Sequence, residues 1–221
     1  MTDQDKAFYA DGYRHGNHIA ENGIDSKSLY EGVLPHYEEI NELIAILIDY
    51  GKQNNIHVDC KAGCSYCCNQ SVYGMEHEFD TLATFLTTHW TLEEREALIE
   101  RAKARYAQTQ NLSKEELALH KSPCPFLKNN KCSVYEVRPM ACRIYLSTSV
   151  SSCRHEYETP SAPDAYPQLL DFPLRAGRLM NEGMVAALKV GGYKSREYRI
   201  EEGILAFRFS LLDEPDVAPG N

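Results

Sequence analysis

All eight cysteines of this chain fall in two short stretches. The first is Cys60-Lys-Ala-Gly-Cys64-Ser-Tyr-Cys67-Cys68. The second is Cys124-x7-Cys132-x9-Cys142-x10-Cys153, and residues 1–59, 69–123 and 154–221 contain none. Core usage would scatter cysteines more evenly. A thiolate is a soft ligand suited to zinc, iron or an iron–sulfur cluster. A tight loop such as Cys64-Ser-Tyr-Cys67 lets two sulfurs converge, and Gly63 lets that backbone turn sharply. Cys67 and Cys68 are adjacent, so their side chains diverge in a regular helix or strand. They meet one ion only through an unusual backbone; otherwise they face different centres. The expected ligand set is Cys60, Cys64, Cys67, Cys68, Cys124, Cys132, Cys142 and Cys153. Eight thiolates serve two four-sulfur centres, or one centre with four cysteines left for structure or redox work.

Disulfides are a weaker reading. The N-terminal MTDQDKAFYADGYRHGNH has no apolar signal region. The best apolar run, Leu43 to Ile48, is far short of a membrane span. A cytoplasmic protein is expected, where thiols stay reduced. The 221 residues can bury a core without covalent staples. A net charge of −9 argues against general nucleic-acid binding. The partners expected are a metal ion or cluster and a protein, with no nucleic acid and no membrane.

Periodicity predicts a mainly α, single compact domain over residues 1–212. Irregular Cys-rich loops and a few short extended segments surround the metal region at about 57–155, and 213–221 form a mobile tail. Residues 1–30 are polar, suiting a short helix or an ordered arm. Tyr37, Ile40, Ile44 and Leu47 mark an amphipathic helix over 33–55. Further helices are predicted over 79–90, from Thr91 to Thr109, from Ser113 to His120, over 174–190 and over 198–211. Thr91/Glu94 and Ser113/Glu116 have capping-box spacing. The Ser- and Pro-rich stretch 147–173 reads as a surface connection, and 71–75 as an extended piece.

Basic residues gather near the second cysteine stretch. Lys121, Lys128, Lys131, Arg138 and Arg143 face a single acid, Glu136, between Leu119 and Tyr145. Arg138 and Arg143 are the candidates to stand behind the thiolates and stabilise their charge. His57 and His155 lie near cysteines but are not needed as ligands. Met180 and Met184 are expected in the core. No phosphate loop, dinucleotide glycine motif, nucleophile elbow or HExxH occurs, and no catalytic residue is assigned.

CKAGCSYC also fits the CxxxCxxC cluster motif of radical S-adenosylmethionine enzymes, but no βα series surrounds it. Cys-x3-Cys-x2-Cys-Cys followed by CPFL and CSVYEVRPMACRIY resembles instead the CxxCxxCC family of zinc- or iron-chelating domains. Residues 60–68 and 124–145 carry the resemblance, and the first gap is x3 where the family name has x2. The region is also similar to the cluster region of flagellin lysine methylases, which implies an iron–sulfur cluster. The expected cofactor is an iron–sulfur cluster or iron, with zinc as the alternative. Three functions remain open: a metal-binding module, a cluster-dependent enzyme of redox or lysine methyl-transfer type, and a metal-free thiol redox sensor.

Overall fold

The computed structural model describes residues 1–212, apart from the side chains of Phe209 and Ser210. The expected tail 213–221 lies outside the described residues. Helices dominate, and most of the long ones begin at a side chain that takes up orphan N–H groups. Thr2 opens α1 (Asp3–Asn22), Asp25 opens α2 (Ser26–Gln53), and each box is closed by the residue three positions on. The expected boxes Thr91/Glu94 and Ser113/Glu116 open α4 (Leu92–Thr109) and α5 (Lys114–Leu119). Between α2 and α4, helix α3 spans Glu76–His89.

The first thirty residues depart from expectation. They form a full 20-residue helix and the start of α2, rather than an arm. The reason is glycine. Helix α1 packs along α8 (Asp171–Val190) at backbone contact. A Cβ on Gly12 would stand 1.7 Å from the Met180 carbonyl oxygen, and one on Gly183 would stand 2.0 Å from that of Tyr9. An interface built on backbone carries little apolar periodicity. Helix α2 likewise starts before the expected residue 33 and continues through Pro35. That proline has no N–H to donate, so the tertiary contacts of α2 carry it past the break.

Two adjoining cores result. The first packs Phe79, Leu82 and Leu86 of α3 with Leu98 and Ala102 of α4 and with Ile200 and Ile204 of α9 (Ile200–Ala206); Phe126, Val134 and Val137 close it. The second packs Ile19 of α1 with Val33, Tyr37 and Ile40 of α2, Met140 and Ile144 around α6 (Met140–Arg143), and Met180 and Met184 of α8. Both methionines are buried, as expected.

Short strands finish the frame. Strand β1 (Tyr73–Met75) pairs antiparallel with β4 (Glu197–Arg199), Tyr73 opposite Arg199. Strands β2 (Leu127–Lys128) and β3 (Lys131–Cys132) form a hairpin whose turn residues Asn129 and Asn130 both have positive φ. The helix expected over 198–211 is therefore corrected: a strand occupies 197–199, followed by α9 and α10 (Arg208–Leu212). Glu202 reaches back to the Arg199 N–H at 3.0 Å and starts α9 there. The expected surface connection 147–173 contains α7 (Val150–Glu158), opened by Ser149, whose hydroxyl takes the Ser152 N–H. Among the described residues, no helix is long and apolar enough to cross a membrane.

Candidate metal centre

The first cysteine stretch is irregular. Gly63 takes φ +91, and the Cys64 N–H donates to the Lys61 carbonyl at 3.0 Å. Tyr66–Asn69 then form one 3-10 turn. The turn is closed by the Cys68 N–H on the Ser65 carbonyl (3.0 Å) and the Asn69 amide on the same carbonyl (2.9 Å). This backbone alters the expected divergence of the adjacent cysteines: the Cys68 thiol lies close enough to that of Cys67 to favour its protonated form.

The second stretch is threaded through both cores. The Cys124 N–H donates to the Cys68 carbonyl at 2.7 Å, which joins the two stretches directly. Cys132 sits on β3 opposite Leu127. Val134 and Val137 then enter the first core, while Met140 and Ile144, on either side of Cys142, enter the second. Cys153 lies on α7, and it is buried.

Buried polar groups fix this thread. Glu78, 1% exposed, accepts from the Tyr37 hydroxyl (2.9 Å), the Met75 N–H (2.8 Å) and the Met140 N–H (2.6 Å). It thereby caps α6, a helix too short to stand alone. Arg143, also 1% exposed, donates to the carbonyls of Arg138 (2.9 Å) and Glu136 and to the Asn41 amide oxygen (3.1 Å). Its guanidinium lies 3.9 Å from the centre of the Tyr37 ring. Burial brings its pKa down to about 10. Arg101 donates to the Pro125 carbonyl (2.8 Å) and Arg105 to that of Gln70 (2.6 Å), so α4 holds both stretches. Arg105 is itself held by buried Glu201 at 3.3 Å.

The basic island found in the sequence disperses. Lys121 pairs with Glu156, and Lys128 stands over Trp90 and 4.0 Å from Glu94. Arg138 stays near the thiols, stacked 3.7 Å from the centre of the Tyr135 ring. Its charge favours the thiolates of Cys67 and Cys132, and Arg143 favours that of Cys132. His155 turns to Asp164 at 3.1 Å, and His57 is exposed.

Ser147, which has no sequence signal, and Tyr145, which flanks the second cysteine stretch in the sequence, lie beside the sulfurs. Ser147 donates its N–H to the Cys60 sulfur at 3.2 Å, and its side chain favours the thiolate of Cys153. Tyr145, held by Gln70 at 3.2 Å, borders Cys153 and Cys67; burial pushes its hydroxyl up to about 12.

No disulfide joins the eight cysteines. Burial raises the thiol pKa of Cys60, Cys132 and Cys153, brings Cys124 to about 12, and holds Cys142 well above the ordinary value. Cys67 is raised first by the neighbouring Cys68 thiol and then by burial. The sulfurs also influence one another. Cys60 senses Cys64, Cys67 and Cys153, and Cys153 senses Cys64 and Cys67. Cys142 senses Cys124, Cys132 and Cys67. Among the described residues, no three His, Cys, Asp or Glu side chains are placed to hold a metal ion as they stand. Ligation thus requires the thiols to turn inward and lose their protons. The donor set suits a soft metal: reduced thiols drawn together from two stretches, with a backbone N–H already donated to sulfur.

Short turns and helices thus draw the two cysteine stretches together in a mainly helical fold. Residues 59–162, a little under half of the chain, match the family model CxxCxxCC, described as "Putative zinc- or iron-chelating domain". The matched residues span all eight cysteines. No curated protein and no solved structure matches the chain.

Proposed function

We propose that this chain binds metal through all eight cysteines, arranged as two adjoining four-thiolate sets. Cys60, Cys64 and Cys153 make the first set. Cys124, Cys132 and Cys142 make the second. Cys67 and Cys68 give one ligand to each. The observation that carries this reading is that the fold draws the two cysteine stretches together, with the Cys124 N–H on the Cys68 carbonyl at 2.7 Å and the Cys60 sulfur taking the Ser147 N–H at 3.2 Å; the mutual influence of the sulfurs, with Cys67 common to both groups, supports the division into sets. The Cys67–Cys68 step is then the joint between the sets.

An iron–sulfur cluster is the occupant best matched to the half-buried second set, which lies near Arg138 and Arg143. Four thiolates bind such a cluster, and N–H groups and nearby cations tune it. When bound it would supply one-electron chemistry. Arg138 and Arg143 would offset the thiolate charge, Ser147 would orient Cys60, and Tyr145 would exclude water. Zinc is the second reading, favoured by sets that four protein thiolates close completely. An enzyme of redox or methyl-transfer type would need one of these sulfurs to leave a position open. Partner contacts would use the helical surface.

The test is anaerobic purification followed by iron, zinc and acid-labile sulfide analysis with an absorption spectrum. Iron with sulfide supports the cluster, and colourless protein with two zinc ions per chain supports zinc. Cys64→Ser is expected to empty one set and Cys132→Ser the other. Loss of all metal in both variants would replace two centres with one. Metal-free protein that forms disulfides reversibly would replace the whole reading with a thiol redox sensor.

A further inference from the structure

Residues 147–169 leave the fold and return to it at one point. An isolated antiparallel bridge joins Ser147 to Leu169 there. Beside it the Leu170 N–H donates to the Leu146 carbonyl, and the Thr148 N–H to that of Gln168, each at 2.9 Å. The excursion between them carries α7 and Cys153. Of residues 148–168, only Cys153 and Ala165 are buried, and neither packs in the two cores. The excursion is nevertheless braced within itself. The Gln168 N–H donates to the Ser152 hydroxyl at 2.9 Å, and His155 reaches Asp164 at 3.1 Å, so α7 and the returning chain hold together. A braced segment with little buried apolar surface, joined at a narrow base, opens as a unit before the cores around it do.

Mostly polar contacts keep it down. Glu156, with a side chain 13% exposed, pairs with Lys121, 10% exposed, and accepts from the Gln70 amide at 3.3 Å. Arg154 donates to the Tyr66 hydroxyl at 2.9 Å, and the Tyr157 ring lies 5.7 Å from that of Tyr66, centre to centre. The Val150 N–H donates to the Asp59 carboxylate at 3.0 Å. Asp59, Tyr66 and Gln70 all lie in or beside the first cysteine stretch, so the excursion is fastened across that stretch. The nearly buried Lys121–Glu156 pair is the fastening best shielded from water.

We propose that residues 147–169 form a hinged lid over the first thiolate set, and that Lys121 and Glu156 are its latch, positioning residues that seat Cys153. The inference rests on the ligand reading above, in which Cys153 completes a set with Cys60 and Cys64. Lifting the lid about the Ser147–Leu169 bridge takes Cys153 away. Cys60 stays, because the Ser147 N–H that it accepts is at the hinge. The set then keeps three protein thiolates and one open position. Cys153 is thus the ligand that can yield to an incoming thiol, which gives up the proton that the departing sulfur takes. Cys132 and Cys142 have no such freedom, since the segment between them runs into both cores. The open position that an enzyme of this kind needs is therefore made by moving one residue.

The test is amide hydrogen exchange, read by mass spectrometry on the full chain as purified anaerobically with its metal, and again after the metal is stripped. In the stripped, reduced chain the amides of α7 should exchange far faster than those of α8. Bound metal should slow them. Glu156→Gln should speed α7 exchange in the stripped chain by about tenfold or more and leave α8 unchanged. Exchanging the charges, Lys121→Glu with Glu156→Lys, should restore protection. In the metal-containing chain, Glu156→Gln should also speed loss of metal to a chelator from one set and not from the other. An α7 as protected as α8 overturns the lid and leaves the ligand reading standing. So does exchange indifferent to Glu156→Gln, or a charge swap that restores nothing. A chain that holds no metal, or metal that fails to slow an opening lid, overturns the ligand reading of Cys153 and this inference together.

Discussion

The two cysteine stretches differ in what holds them. The second is fixed from behind by Glu78, Arg101 and Arg143, with valines in one core and Met140 and Ile144 in the other. The first is held at its end by Arg105 on the Gln70 carbonyl, and elsewhere by a few backbone hydrogen bonds, a glycine with positive φ and the Ser147 contact, and Cys60 is exposed. One half of the centre is thus built into the fold, while the other is a clasp laid over it. The lesson concerns where ordering is needed. A metal bound here would spend little free energy arranging Cys124, Cys132 and Cys142, and more arranging Cys60 and Cys64.

The sharpest way to break this contrast is Arg143→Ala. It would leave two carbonyls and the Asn41 amide without their buried donor. The metal-free protein should lose about 3 kcal/mol or more, read from urea denaturation. A loss no larger than that of Cys64→Ser would erase the distinction between frame and clasp.

Acid should act on the frame rather than on the clasp. His36 is fully buried on α2, with no partner on either ring nitrogen. Burial, aided by His15, His77 and Arg143, pushes its pKa down to about 3 from 6.5. Burial also lowers His77. The folded state therefore binds fewer protons than the unfolded chain. Stability is full above about pH 6.5 and falls as pH drops toward 3, at most about 1.4 kcal/mol per pH unit for each such histidine. Urea midpoints of the metal-free, reduced protein at pH 7.5 and 5 should differ, and His36→Gln should flatten the dependence. Metal uptake should respond in a different way. Thiols held protonated must release their protons on ligation, so apparent affinity should rise with pH and proton release should be measurable by calorimetry in two buffers.

The smallest expected effect lies in the clasp. Gly63→Ala has open space for its Cβ but a backbone that side chains rarely adopt. A cost of about 1 kcal/mol is expected. It should lower the melting temperature of the metal-free protein slightly and weaken metal binding with it, because the strained turn is already formed without metal.

Much of this was readable from local chemistry. The capping boxes at Thr91 and Ser113, the helix between Leu92 and Thr109, and the gathering of two cysteine stretches all follow from spacing. Helix α1 was not readable, because glycine and backbone contact replace an apolar stripe. Arg101 and Arg105 were hidden for a related reason: they donate to main-chain carbonyls, and a carbonyl has no sequence signature. Arg143 was legible as a charge behind the thiolates, but its donation to the Arg138 and Glu136 carbonyls was not. The 3-10 turn that turns the Cys67 and Cys68 thiols toward each other is likewise set by tertiary packing rather than by the residues alone.

Because the segment from Val134 to Ile144 enters both cores, it joins them through one piece of backbone. Peeling either core open would pull on Cys132 or Cys142 and disturb the same ligand set. A metal held there would act as a rivet, making separate openings of the cores share one barrier. With the rivet in place the chain should melt in one step; stripped of it, the two halves are free to soften at different temperatures.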